Sequence, residues 1–443
     1  MRDTKAVSEP EITHGRVLRI AVPIVLSNAT IPILGAVDVG VVGQMGEAAP
    51  IGAVGLGAIV LSTVYWIFGF LRMGTVGLVG QAAGAGDKDE VSAWLTRALV
   101  VAISGGLFLI ILQPLIFWGA MRLAPASPEV EGLAREYLAI RIWTAPAAIA
   151  VYALTAWLVA MERTVGIFWV QLVMNGVNIL LDLLFVLVLD WGVPGVAFAT
   201  VTAELTGAAL ALWYCRAAFQ NPAWRAWSRI FDRAKLVRMA LLNTDILIRS
   251  ALLMVVFTSF VFLGARFGDV TLAANEVLLQ FLYITSYAMD GFAFAAETLV
   301  ARAFGRGDRR EVRRSAVITL VWGGVVCLIM TCAIALTGGW MIELMAKNAG
   351  VQDTARTFLP YILLAPLAGG AGWMFDGIFV GATRSADMRN MMAISFITYW
   401  VAVLALMPSF GNHGLWIALL VSLLSRGVTL AARYPALERA VQR

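Results

Sequence analysis

The sequence is poor in charge, histidine and cysteine. Only 14% of its 443 residues are charged, whereas a soluble domain usually carries about a quarter charged residues. A chain in which 60% of the residues are hydrophobic cannot bury them all in a water-soluble core. The two histidines and three cysteines have neither metal-ligand spacing nor the spacing of a secreted disulfide framework. This composition favours a membrane protein and gives no support to a metal site.

Motifs of common enzymes and of ATP-driven pumps are also missing. The chain contains no HExxH, GxSxG or Walker sequence, so we predict that it is not an enzyme and that it needs no cofactor. A net charge of +5 can indicate a nucleic-acid partner, but the basic residues here lie between apolar blocks. We therefore expect no nucleic-acid partner, and membrane lipids around the protein instead.

Long apolar blocks dominate the chain, and many reach the twenty residues that a helix needs to cross a bilayer. They are continuously apolar rather than alternating, which excludes a membrane β-barrel. The sequence thus predicts an all-α integral membrane protein with twelve transmembrane helices, at 16–42, 50–83, 91–121, 131–161, 164–189, 193–219, 234–264, 270–304, 310–337, 353–383, 388–408 and 412–433.

Basic residues are distributed unevenly among the predicted loops. With twelve spans both termini lie on one side, and the loops on that side carry most of the loop arginines and lysines, including Lys88, Arg163 and the run from Arg302 to Arg314. By the positive-inside rule these loops and both termini are cytoplasmic. We expect a multi-pass protein, most simply a monomer, in a bacterial-type cytoplasmic (inner) membrane.

The two halves of the chain repeat each other. Gly84-Ala85-Gly86-Asp87 returns as Gly305-Arg306-Gly307-Asp308, an offset of 221 residues, and other matches keep nearly the same register. An even number of spans per repeat gives both copies the same orientation. We predict an N-terminal six-helix lobe at 1–219, a cytoplasmic linker at 220–233 and a C-terminal six-helix lobe at 234–443. A two-bundle transporter with a cavity between the lobes follows from this arrangement.

Acidic residues inside spans are costly and mark candidate sites. In the first half these acids are Asp38 and Asp182. Asn175, Asn178 and Asp182 have the spacing i, i+3, i+7 and share one helical face, while Thr200 and Glu204 add a second polar stripe. Interhelical hydrogen bonding alone is one interpretation. Burial and a neighbouring carboxylate favour the protonated form of an acid, however, which makes Asp38 and Asp182 candidates for coupling-ion binding.

In the second half, polar residues follow one face of the eighth span. Acids and tyrosines together resemble a cation-binding wall, because aromatic faces attract cations as carboxylates do. Pairing of these acids with intramembrane arginines (Arg72, Arg141, Arg249 and Arg426) is the alternative, and Asp245 and Arg249, at i and i+4, are predicted to pair. The proposed cargo-binding residues are Glu276, Tyr283, Tyr287, Asp290, Glu297 and, on the tenth span, Asp376.

Three segments resemble a known family: GFLRMGTVGLVGQAAGAGD at 69–87, DGFAFAAETLVARAFGRGD at 290–308 and DGIFVGATRSADMRN at 376–390. They are similar to the DinF branch of the multidrug and toxic compound extrusion (MATE) transporters. The resemblance implies two six-helix lobes in a V, exporting amphipathic, often cationic compounds in exchange for protons or sodium ions. It also implies a polar coupling-ion site in the first lobe, at Asp38, Asn178, Asp182 and Thr200.

The resemblance does not extend to every site of the family. NorM-like members carry a cation site on the seventh and tenth spans, but Asp245 and Asp376 do not align clearly with it, so no metal site is predicted in the second lobe. A lipid-linked oligosaccharide flippase of the same superfamily is the alternative function. Such a protein needs a strongly cationic cavity for pyrophosphate, whereas acids here are at least as numerous as intramembrane arginines.

Overall fold

The computed structural model of the protein describes residues 11–44, 48–124 and 126–441. It does not describe the side chains of 31–33, 35, 36, 38, 39 and 48. The described residues form helices and no β-strand. The twelve long helices are α1 His14–Gly43, α2 Ala49–Gly84, α3 Lys88–Leu123, α4 Pro128–Ala160, α5 Thr164–Val188, α6 Gly192–Tyr214, α7 Arg233–Phe267, α8 Asp269–Arg306, α9 Arg309–Met345, α10 Ala349–Gly381, α11 Ser385–Phe410 and α12 Asn412–Arg439.

The length and composition of these helices confirm the predicted architecture. Within the described ranges, the eleven helices α2 to α12 are each long and apolar enough to cross a membrane, and the thirty-residue α1 precedes them. Large apolar side chains point outward from the bundle, among them Ile111 at 74% exposed and Leu336 at 86% exposed. Such exposure is unfavourable in water but normal against lipid. The chain is therefore an all-α membrane protein.

The helices form two lobes, α1–α6 and α7–α12, arranged as a V. We call the end of the molecule that holds residues 11 and 441 and the most basic loops the basic end. The lobes meet in the half of the molecule nearest this end, where α2 packs against α7, α8 and α10, and α1 packs against α8. Farther from the basic end, a cavity of about 360 Å³ lies between α2, α7 and α8. The V is thus closed at the basic end.

The repeated GxGD motif has a physical explanation at each position. Gly86 and Gly307 have φ values of 76° and 71°, a left-handed conformation that glycine adopts without strain. Asp87 and Asp308 then cap the next helix, each accepting a hydrogen bond from the backbone N–H three residues later, at 2.9 and 3.0 Å. The motif therefore ends one helix and starts the next in both lobes.

The first glycine of the motif allows the two lobes to touch. A Cβ atom on Gly84 would lie 2.0 Å from the carbonyl oxygen of Arg302, and one on Gly305 would lie 2.1 Å from that of Gln81. These two contacts are equivalent by the 221-residue offset. The interface at the basic end consequently has approximate twofold symmetry.

The connection between α6 and α7 packs on the first lobe. It contains short helices at 216–220, 222–225 and 227–230. The Arg97 side chain, 1% exposed, donates hydrogen bonds to the carbonyls of Arg229 and Ile230 at 2.5 and 2.9 Å, and Thr96 donates to that of Trp224 at 3.0 Å. The connection as far as Ile230 is therefore held against α3.

Candidate functional site

A chain of polar side chains links α1 and α5 in the first lobe. Gln171 donates to Asn175 at 2.8 Å, and Asn175 donates to the hydroxyl of Thr30 on α1 at 2.8 Å. One helical turn further along, Asn178 donates to Asp182 at 2.6 Å. Asn175, Asn178 and Asp182 are all buried, so the predicted polar face of α5 points into the lobe rather than toward lipid.

Asp182 lies at a change in helix type. The α-helical part of α5 ends at Asp182, and the next six residues, Leu183–Val188, form a π-helix. Such wide turns are uncommon and often accompany functional sites, because they leave the regular backbone pattern incomplete. The Asp182 side chain is fully buried. The apolar run LLFVLV gave no sign of this irregularity in the sequence.

The remaining predicted residues of the first-lobe site are less closely connected. The Thr200 hydroxyl donates to the Val196 carbonyl at 3.0 Å. This hydrogen bond lies within α6 and does not connect Thr200 to α1 or α5. Glu204 accepts hydrogen bonds from Arg141 and Thr144, so this member of the second polar stripe is part of a largely buried ion pair. Asp38 falls within α1, but its side chain lies outside the described residues.

Three of the predicted acids in the second lobe cluster with three arginines. Asp376 on α10 accepts hydrogen bonds from Arg249 on α7 and from Arg426 on α12, the latter at 2.7 Å. Glu297 on α8 binds Arg72 of α2, and Asp290 lies within electrostatic reach of Arg72, Glu297 and Arg249. The formal charges of these six residues balance. The sequence does not specify which acids the arginines neutralise, and the structure identifies Glu297, Asp376 and, in the first lobe, Glu204.

The outer part of the predicted wall has a different character. Glu276 and Tyr287 lie near Tyr283, whose side chain is 41% exposed. Tyr283 lines the 360 Å³ cavity between the lobes together with the aromatic rings of Trp66 and Phe257. The predicted residues of α8 thus form two groups, an aromatic group at the cavity and a charged group closer to the basic end.

The predicted pair of Asp245 and Arg249 is wrong. Asp245 instead accepts hydrogen bonds from Ser385 at 2.9 Å and from Arg389 at 2.5 Å, both on α11. Arg249 points to Asp376. An i, i+4 spacing permits a pair within one helix, but both residues have interhelical partners here instead.

These features agree with comparisons to known proteins. A family profile described as MatE matches residues 23–184 and 246–408, one match in each lobe. The chain belongs to the MatE family. It is 34% identical over 422 residues to the DNA damage-inducible protein F of Escherichia coli (strain K12), with 93% of this chain and 90% of that protein covered. This supports the resemblance to the DinF branch.

Another MatE relative is the probable multidrug resistance protein NorM of Rhizobium meliloti (strain 1021), 27% identical over 462 residues, with 97% of this chain and 95% of that protein covered. Among solved structures, the fold is similar to that of the Vibrio cholerae MATE transporter VcmN in the bent form, with a TM-score of 0.87 at 18% identity and with 96% of this chain and 97% of that chain covered. The MatE family is one of membrane transporters, which agrees with the predicted absence of enzymatic activity.

Proposed function

We propose that this protein is a secondary active exporter of amphipathic organic cations that is driven by the inward movement of protons, with sodium ions as the alternative coupling ion. The observation that carries the proposal is the fully buried Asp182, which accepts a hydrogen bond from Asn178 one helical turn along α5 from the contact between Asn175 and Thr30 of α1. Acidic residues within membrane-spanning helices are costly and usually serve a function, so we assign proton or cation binding to Asp182.

The coupling-ion site in this proposal comprises Asp38, Asn178, Asp182 and Thr200. Asn178 supports it directly, because its amide donates to Asp182 and can stabilise the carboxylate after a proton leaves. The π-helix at Leu183–Val188 supports it as well, since short π-helical turns within α-helices are often found at functional sites.

The cargo-binding surface comprises Glu276, Tyr283, Tyr287, Asp290, Glu297 and Asp376. The aromatic group at the interlobe cavity suits a flat or bulky cation, because aromatic rings attract cations through their faces. The charged group deeper in the molecule supplies carboxylates, although Glu297 and Asp376 are already paired with arginines. A cation must compete with these arginines to reach them.

The proposed location is a bacterial-type cytoplasmic membrane, with the basic end and both termini in the cytoplasm. The basic loops support this orientation by the positive-inside rule. The V then opens away from the cytoplasm. We propose that the protein acts as a monomer with small-molecule cargo, and that it needs membrane lipids but no cofactor or nucleic acid.

Transport by purified protein in lipid vesicles tests the function. A fluorescent organic cation is enclosed or added, a proton gradient or a sodium gradient is imposed separately, and dye movement is followed. We expect dye movement against its gradient with the proton gradient alone. Transport with the sodium gradient alone would identify sodium as the coupling ion, and no transport with either gradient would reject the proposal.

The alternative is a flippase for a lipid-linked oligosaccharide. Arg72, Arg249 and Arg426 near the centre of the molecule favour it, since pyrophosphate binds arginine well. The three acids in the same cluster balance their charge, however, which favours a cation or a neutral cargo over a pyrophosphate. Movement of a fluorescent pyrophosphate lipid between leaflets, without movement of organic cations, would support the flippase.

A further inference from the structure

Arg72 crosses from one lobe to the other. It belongs to α2, but its guanidinium donates two hydrogen bonds to the carboxylate oxygens of Glu297 on α8, at 3.1 and 3.3 Å. Its Cζ atom also lies 3.9 Å from the centre of the Phe294 ring on α8. Glu297 is 2% exposed. A cationic group of the first lobe therefore occupies an aromatic and acidic site that is built by the second lobe.

This pair is an exception to the symmetry of the interface. Moving Arg72 and Glu297 by the 221-residue offset gives Ala293 and Val76, which are both apolar. The neighbouring contacts are symmetric: Gly77 approaches the Val380 carbonyl, and the equivalent Thr298 donates to the Val159 carbonyl at 3.0 Å. Closing the lobes at this level consequently does not require an ion pair, because the equivalent positions on the other side close without one.

Separation of the lobes at the basic end must withdraw Arg72 from Glu297. The backbone of α2 contacts α8 at Gly80 and Gly84, only a few turns from Arg72. Opening the basic end moves these segments apart and carries the guanidinium with the first lobe. Glu297 and the Phe294 ring then remain together on α8, as a carboxylate beside an aromatic face, which is a site for an organic cation.

We propose that Arg72 is a built-in competitor of the cationic cargo for the site formed by Glu297 and Phe294. With the basic end open, the site is available to cargo. When the basic end closes, the Arg72 guanidinium enters the site and expels the cation toward the other side. Two like charges in one desolvated site repel strongly, so closure at the basic end and release of cargo become one step.

The inference rests on the proposed function for the class of cargo, and it is tested by binding rather than transport. Binding of a fluorescent organic monocation and of a neutral dye of similar size is measured on purified full-length protein. Arg72→Gln should raise the affinity for the monocation by about tenfold or more and leave the neutral dye unchanged. Arg72→Lys, which keeps the charge, should remain close to wild type. Adding Glu297→Gln to Arg72→Gln should remove the gain.

Two results would overturn the inference. Unchanged or lower monocation affinity in Arg72→Gln means that Arg72 does not compete with cargo. An equal gain for the monocation and the neutral dye means that the substitution only opens the lobes. Phe294→Leu gives an independent measure that keeps the Glu297 carboxylate, and it should lower monocation affinity in the Arg72→Gln background. A wild-type protein that neither binds nor exports organic cations would instead reject the proposed function.

Discussion

Gln81 and Arg302 occupy equivalent positions in the two repeats and make equivalent contacts across the interface. The Gln81 amide donates to the Gly381 carbonyl at 3.1 Å, and the Arg302 guanidinium donates to the Ala160 carbonyl at 3.1 Å. Each side chain also reaches the residue two positions later, since Gln81 binds the Thr383 hydroxyl and Arg302 binds the Glu162 carboxylate. One side of the closed basic end is thus an ion pair at these positions. The other side has no carboxylate there, and Gln81 and Thr383 accept hydrogen bonds from Arg238.

The charged side should contribute more to closure. Glu162 accepts two hydrogen bonds from Arg16, at 2.9 and 2.6 Å, and also binds Arg302 of the other lobe at 3.1 Å. Glu162→Gln removes the charge, and a charge-assisted hydrogen bond contributes roughly 1.5–3 kcal/mol. We expect the equilibrium to shift by about tenfold toward a separated basic end. Distances between spin labels at Lys88 and Arg310, with the exposed Cys332 replaced, measure the shift.

Two controls make this measurement specific. Thr383→Ala removes a hydroxyl that accepts hydrogen bonds from Gln81 and from Arg238 on the other side, but no carboxylate, and it should have a smaller effect. Glu311→Gln removes a carboxylate that pairs with Arg306 inside the second lobe, and it should leave the label distance unchanged. An unchanged distance in Glu162→Gln would show that the ion pair does not hold the lobes together.

The glycines of the repeated motif should be required for closure. A Cβ on Gly84 or Gly305 would lie about 2 Å from a backbone oxygen of the opposite lobe, and backbone cannot rotate away as a side chain can. Gly84→Ala and Gly305→Ala should each separate the basic end in the same label experiment. Gly119→Ala is the matched control, because a Cβ there meets no atom within 4 Å. Normal closure in both variants would contradict the close packing described above.

Asp182 should be essential for coupling but not for folding. Asp182→Asn keeps the shape of the side chain and its hydrogen bond to Asn178, and it removes the exchangeable proton. We expect loss of gradient-driven dye transport with retained dye binding in detergent. Asp38→Asn should also abolish gradient-driven transport, and Asn178→Ala should reduce it less. Asp190→Asn, which changes an exposed acid beyond α5, is the control. Transport at the wild-type rate in Asp182→Asn would place the coupling site elsewhere.

Asp376 should be important for stability. Asp376→Asn leaves the buried Arg249 and Arg426 without their shared carboxylate, and the loss of one partner of a buried pair costs roughly 3–5 kcal/mol. We expect a clear drop in the midpoint of thermal unfolding in detergent. Asp353→Asn on the same helix removes only an exposed pair with Arg356, and its effect should be below about 1 kcal/mol. Equal midpoints for the two variants would contradict this assignment.

Asp290 should distinguish cationic from neutral cargo. The charged group contains three predicted acids, Asp290, Glu297 and Asp376. Among the described residues, Glu297 and Asp376 form direct ion pairs, whereas Asp290 forms none. Asp290→Asn should therefore weaken binding of an organic cation more than binding of a neutral dye. The ratio of the two affinities in normally folded protein is the measurement. A ratio equal to that of wild type would remove Asp290 from the cargo site.

The sequence by itself determined the transmembrane architecture. The number and approximate bounds of the spans follow from local hydrophobic length, and the repeat follows from matching residues at one offset. The polar face formed by Asn175, Asn178 and Asp182 was also predictable, since it depends only on the geometry of a single helix.

The partners of the buried charges were decided by the tertiary structure alone. Asp245 binds Arg389 rather than Arg249, and Arg72 binds Glu297 across the lobes. In lipid almost every face of a spanning helix is apolar, so the hydrophobic pattern does not specify how each helix is rotated or which neighbour it meets. Packing between helices determines that rotation. It therefore also determines which acid remains available to an ion or a cargo molecule.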